Sequence, residues 1–310
     1  MKLIGLTVLA LLGLGFAPAG AQLATTHAGN GAPGFQGAGD VVGGAAAWVG
    51  LEAYSVAYAA GGGKSVNVCN ASDVACVDLT FGANGHLSNC NTVTCTVGAS
   101  DCNSISCTVK TAYDQSGAGN CGGLCNFTQA TIGLRPTLLV NCQNGQPCMV
   151  FAGGSSQCLT ATGYVGTTAQ PYSISAVGIR TSGVATSDWL ATMPAGQGST
   201  NSFVGTTTAN NFGTNAGNTA NVSATDNVLH SVNATLNGIS TATLIDGTDH
   251  TGQSVGTNAI GATMQIGCTQ TNFNFLTGHI NEIGIWALGF TPAQRANLNT
   301  NQHGTLRWNF

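Results

Sequence analysis

Gly278-His279-Ile280-Asn281-Glu282-Ile283-Gly284-Ile285-Trp286 is the stretch whose reading decides the fold. It is rich in β-branched residues, and strict alternation puts Ile280, Glu282 and Gly284 on one face and Ile283 and Ile285 on the other. Working outward, Ser173 to Ile179, His230 to Leu236, Ala242 to Ile245 and Met264 to Ile266 are further runs of β-formers bounded by Gly, Asn and Asp. Thr108 to Tyr113 alternates as well, with Val109, Thr111 and Tyr113 on one face. Asp246-Gly247 reads as a hairpin turn. Many short strands with regular turn signals predict an all-β sandwich or jelly roll.

Two helices interrupt that pattern. Trp48, Leu51, Tyr54 and Tyr58 lie three and four residues apart and predict a helix over Ala45 to Ala60, with Trp48 and Trp286 in the core. Thr291 followed by Pro292 predicts a short helix to Leu298, with Thr as N-cap and Pro at the first helical position. Trp189 and Trp308 sit in less apolar surroundings.

Met1 and Lys2 precede an apolar run to Phe16 and small residues to Ala21, the pattern of a signal peptide spanning residues 1–21. The run is broken by glycines and falls short of the roughly 18–20 residues that span a bilayer. No later segment spans, so no membrane span is expected after cleavage. Residues 22–39 read as a flexible lead-in, and residues 40–310 as one domain. The expected location is secreted, either extracellular or periplasmic.

Twelve cysteines follow the cleavage site and none precedes it, which in an exported chain predicts disulfides. Near neighbours give Cys69–Cys76, Cys90–Cys95, Cys102–Cys107, Cys121–Cys125 and Cys142–Cys148, and elimination leaves Cys158–Cys268; spacing alone does not prove this connectivity. Zinc spacing is absent, no acidic cluster calls for calcium, and no metal or cofactor is expected. Lys and Arg number only 7 and Asp and Glu 11, for a net charge of −4, so no basic face exists to neutralise phosphates and nucleic acid is not an expected partner. The polar surface must come from Asn, Thr, Ser, Gln and Gly. Such uncharged donors and acceptors suit sugar hydroxyls, and equally an exported coat or fibre.

Cys102-Asn-Ser-Ile-Ser-Cys107, the strand after it and Tyr113-Asp114-Gln115-Ser116-Gly117-Ala118-Gly119-Asn120 closely resemble a segment of the catalytic domain of glycoside hydrolase family 54 α-L-arabinofuranosidases. The runs 229–238, Asp246-Gly247, Ile266-Gly267 and 278–286 are similar to the closing half of concanavalin A-like and laminin-G-like sandwiches. The resemblance implies a concanavalin A-like jelly roll with a glycan site on its curved face. It further implies retaining hydrolysis of α-L-arabinofuranosyl groups, for which two carboxyl groups stand about 5–5.5 Å apart.

This sequence departs from the family at those carboxylates. No Asp or Glu lies between Asp188 and Asp226, Thr269 occupies the position that corresponds to the acid/base Asp, and Glu52 and Glu282 are the only glutamates. Candidate catalytic residues reduce to Asp188 and Glu282, with Asp226, Asp246 and Asp249 as further carboxylates. Candidate sugar contacts are Asp114, Gln115, Asn120, Trp189 and Thr269. The alternative for Asp114 and Asn120 is bonding of their own loop, and for Glu282 a cross-strand partner. Gly117-x-Gly119-x-x-Gly122 mimics a dinucleotide fingerprint, but no helix pattern follows it. His230 and His279 lie on expected strands without clustered partners, which favours packing over metal ligation. Three functions remain open: a carbohydrate-active hydrolase acting on arabinofuranosyl polysaccharide, a glycan-binding sandwich without chemistry, and a structural or adhesive surface protein.

Overall fold

The computed structural model describes residues 34–90, 94–95, 102–103, 107–165, 169–181, 188–194, 201–208, 210–269, 274–304 and 307–308. The expected signal peptide, and most of the lead-in, lie outside them. Phe35 and Ala38, placed in the lead-in by the sequence reading, are buried, and helix Ala38–Val41 runs across the expected boundary at Asp40.

Strand Gly278–Trp286 is the centre of one antiparallel leaf. Tyr172–Arg180 pairs along one side of it, and Ala47–Gly50 and Gln146–Phe151 share the other. Beyond Tyr172–Arg180 come His230–Leu236, Thr241–Ile245 and finally Thr248–Gln253, joined by the Asp246-Gly247 turn. Both turn residues have positive φ, 47° and 85°, as a tight hairpin demands.

The second leaf runs Cys76–Thr80, Lys64–Asn70, Cys107–Ala112, Phe127–Thr128, Leu159–Thr162, Thr263–Ile266, Asp188–Pro194, Asn201–Thr208, Asn211–Ala216 and Thr219–Ser223. Thr137–Gln143 pairs with a strand of each leaf and joins them. The result is an all-β jelly-roll sandwich. Val49, Ile174, Ala176, Val232, Ile283 and Ile285 from one leaf meet Val66, Val109, Phe127, Leu159, Val204 and Met264 from the other in one core. Burying each aliphatic side chain of this kind contributes about 1.5–3 kcal/mol.

The other face of the first leaf is also covered. Pro292–Gln302 is capped by Thr291 and Gln294 in a reciprocal pair of hydrogen bonds. With the segment around Val42 it encloses a small second core of Trp48, Tyr54, Trp286, Phe290 and Leu298. Trp308 is fully buried as well, against its polar sequence surroundings.

Three local expectations need correction. Residues 45–60 are not one helix: Ala47–Gly50 is a strand, and only Val56–Ala60 is helical. Val49 points to the main core and Trp48 to the second, so every residue is buried and the strand carries no alternation. In the central strand, Val177 faces Glu282 and Gly178 faces Ile280, so Asn281 forms a bulge and Ile280 joins Ile283 and Ile285 in the core. In Cys107–Ala112 the expected face breaks after Val109, opposite a register shift between Asn67 and Val68, and Ala112 turns inward. The six disulfides are the six expected pairs.

Candidate functional site

The loop after Cys107–Ala112 carries the residues most suggestive of a sugar grip, and the structure gives them other partners. Asp114 is fully buried; its carboxylate accepts from the backbone N–H of Trp48 (3.0 Å), Ser116 (2.9 Å) and Cys125 (3.0 Å). Gln115 accepts from Tyr54 N–H at 2.8 Å and donates to the Gly50 carbonyl at 2.7 Å. Asn120 donates to the Ala46 carbonyl at 2.8 Å. These three side chains lash the loop to strand Ala47–Gly50, which replaces the expected sugar contact with a structural one. The adjacent Tyr113 hydroxyl donates to Asp78 at 2.6 Å, and burial together with the Asp78 carboxylate drives its pKa upward.

Glu282 is equally committed. One oxygen accepts from Gln302 at 2.9 Å, and the other bonds Arg307. Arg307 also approaches Glu52, at 3.8 Å, and Glu52 meets His86 at 2.9 Å, so the only two glutamates of the chain share one buried cation. Burial raises the Glu52 pKa above the ordinary carboxylate value, against the His86 hydrogen bond and the Arg307 charge, which lower it, and the Glu282 charge adds to the rise. The hydrogen bond to Glu52 raises that of His86. Glu52 has no solvent exposure, so this raised acid cannot reach an incoming glycosidic oxygen.

Asp226, Asp246 and Asp249 are paired too. Asp226 lies 3.5 Å from Arg180, and Asp249 makes a two-pronged contact with Arg295 at 2.7 and 3.2 Å. Asp246 accepts from the Ser231 N–H and binds the His230 ring at 2.5 Å. The other His230 nitrogen faces the Thr225 carbonyl at 2.7 Å, which can only accept. That ring therefore sits between two acceptors and is held as the imidazolium. Burial opposes the charge, but the Asp246 and Thr225 hydrogen bonds and the Asp246 and Asp226 charges outweigh it and raise its pKa. Neither cysteine-containing grouping suits a metal, since Cys142–Cys148 beside His279 and Cys69–Cys76 beside Asp73 are disulfides without a thiolate.

Strand register brings the backbones of three residues singled out in the sequence, Asp188, Trp189 and Thr269, to one strand end. Asp188 and Trp189 open strand Asp188–Pro194, opposite Thr206 and Gly205. On the other side Ala191 pairs with Ile266, and the Gly267 N–H donates to the Leu190 carbonyl at 3.2 Å. That register carries Thr269 to the same strand end as Asp188 and Trp189. The side chains of Asp188 and Trp189 lie outside the described residues. Gly267 makes the approach possible: its φ is +78°, and a Cβ there would meet the Phe151 ring at 2.2 Å. Cys158–Cys268 pins the turn, and the Thr269 N–H donates to the Asn274 carbonyl at 3.1 Å. Sequence spacing could not reveal this strand end, because Asp188 and Thr269 meet only through pairing of distant strands.

No protein-family model matches the chain, and no curated protein matches it. Solved structures do. A GH54 α-L-arabinofuranosidase soaked with a cyclic sulfate inhibitor aligns over 83% of this chain at 14% identity, with a TM-score of 0.60. An arabinofuranosidase complexed with arabinofuranosyl-α-1,2-xylobiose aligns over 83% at 13% identity, with a TM-score of 0.56. The aligned region spans 62% of the length of each of those chains. The chain thus has the fold of the GH54 arabinofuranosidases, held here by six disulfides. Among the described residues no helix is long and apolar enough to cross a membrane.

Proposed function

We propose that this is an exported glycan-recognition protein built on the arabinofuranosidase sandwich, acting outside the cytoplasm on arabinofuranosyl-bearing polysaccharide without cleaving it. One observation carries the reading: every carboxylate whose side chain is described already has a cationic or backbone hydrogen-bond partner. Retaining hydrolysis needs an acid and a nucleophile facing one sugar from about 5–5.5 Å apart. Glu52, whose pKa burial raises, is sealed from solvent. Recognition needs no such pair. In this reading the contact residues are Asp188 and Trp189, an acid and an aromatic of the kinds that serve a sugar, whereas Thr269 is buried in the adjoining turn.

Hydrolysis is the second reading, and Asp188 is the carboxylate it would recruit. The test is turnover of an aryl α-L-arabinofuranoside by the oxidised protein, beside Asp188→Asn and Glu282→Gln variants and a glycan array. Binding without turnover supports recognition. Turnover abolished by Asp188→Asn establishes an enzyme and overturns it, and a folded protein that neither binds nor cleaves leaves a structural or adhesive role.

A further inference from the structure

Thr219–Ser223 ends the second leaf and Thr248–Gln253 ends the first, each pairing on one side only among the described residues. A cleft of about 310 Å³ opens between them, lined by Ser223, Ala224, Thr225, His230, Ile245, Asp246, Thr248 and His250. Its size falls at the small end of the roughly 300–1,000 Å³ range of ligand sites.

The back of this cleft is fastened at every turn. Asp246 holds His230 and the Ser231 N–H, and His230 holds the Thr225 carbonyl. Asn299 accepts from the Gly247 N–H at 3.0 Å, and Arg295 grips Asp249. The hairpin is thereby tied to helix Pro292–Gln302. The front is the reverse: among the described residues no hydrogen bond engages the hydroxyls of Ser223, Thr225 or Thr248, or the His250 ring, and the three hydroxyl residues are exposed. The strands behind them are fixed, so the fold sets where these hydroxyls and the imidazole stand along the cleft, and their hydrogen-bonding capacity faces solvent.

The chemistry of the lining selects the ligand class. The imidazolium of His230 and the carboxylate of Asp246 cancel, so no fixed charge is offered to a phosphate or an acidic chain. A hard cation would require carboxylate oxygens, and both oxygens of Asp246 are engaged. What remains is three hydroxyls that donate and accept, one planar imidazole, and the apolar side chains of Ala224 and Ile245. That mixture fits the alternating hydroxyl and C–H surface of a sugar ring. We infer that this seam is a second saccharide site, taking a neutral sugar unit, separate from the strand end at Asp188 and Thr269. The ligand class rests on the glycan reading above, whereas the location does not.

Calorimetric titration of the oxidised protein with α-L-arabinofuranosyl-xylobiose tests it, using wild type, Thr248→Ala/His250→Ala and Trp189→Ala. Two equivalents bound by wild type, and one by each variant, is the expected result. Ser223 and Thr248 are exposed, so Ser223→Ala should leave the melting temperature unchanged, and it gives an independent check with at least a threefold loss of affinity at the same site. Wild-type stoichiometry in both cleft variants, with loss confined to Trp189→Ala, overturns the seam and leaves the glycan reading standing. No binding of this probe or of any glycan on the array overturns both.

Discussion

Replacing Asp114 by Ala separates a sugar-contacting residue from a structural one. Its carboxylate serves three backbone N–H groups, two of them, on Trp48 and Cys125, in the interior and one, on Ser116, near the surface. Hydrogen bonds to a charged group contribute about 1.5–3 kcal/mol each, and a stranded buried donor costs a similar amount. The Ser116 N–H can reach water when the carboxylate is gone, so two donors carry the penalty, about 3–6 kcal/mol together. Against a total stability of about 5–15 kcal/mol for a domain, that is a large fraction. Asp114→Asn keeps one oxygen for Trp48 and Ser116 but turns an NH₂ toward Cys125 N–H, for a loss of about 1.5–3 kcal/mol. Urea unfolding under non-reducing conditions, followed by tryptophan fluorescence, gives both values. Glycan affinity of the folded fraction should not change. A variant Asp114→Ala within about 0.5 kcal/mol of wild type, yet with glycan binding abolished, would refute the assignment.

Arg307→Met should cost about 3–5 kcal/mol, because it strands the Glu52 and Glu282 carboxylates in the interior, and Glu282→Gln on that background should recover part of the loss in the same unfolding assay. His230 has a pKa raised above its unfolded value near 6.5, so its contribution is complete below that value and is lost as pH rises through the folded one. The melting-temperature gap between wild type and His230→Gln should therefore be widest near pH 5 and narrow toward pH 9; a gap that widens with pH contradicts the His230–Asp246 pairing. Cys158–Cys268 closes a separation of 110 residues and Cys90–Cys95 one of 5, so chain entropy predicts losses of about 5 and about 2 kcal/mol when each pair is changed to Ala. Equal losses would show that loop length does not govern their contribution.

The fold was largely legible because its strands are rich in β-formers and bounded by turn residues: His230–Leu236 is found where it was expected, and Asp246-Gly247 turns as its sequence demands. What misled was burial on both faces. Ala47–Gly50 shows no polar alternation because Trp48 and Val49 enter different cores, and its aromatic spacing imitates a helix. The site was less legible. Asp114 and Gln115 look like sugar ligands in one dimension, and only strand Ala47–Gly50, 65 and 66 positions away, shows that their polar atoms serve the backbone. The His230 cleft went unread because its walls, near residues 223 and 248, are edge strands of different leaves.

The covered face of the first leaf bears on how the chain folds. Ser175, Ser231, Asn233 and Glu282 lie on strands of that leaf, yet their partners are Gln302 and Arg307, which come after every one of those strands in the chain. A chain in which Gln302 and Arg307 have not docked leaves a carboxylate and a row of amides and hydroxyls on that leaf open to water. Gln302 and Arg307 thus act as a latch whose docking converts a polar sheet face into interior.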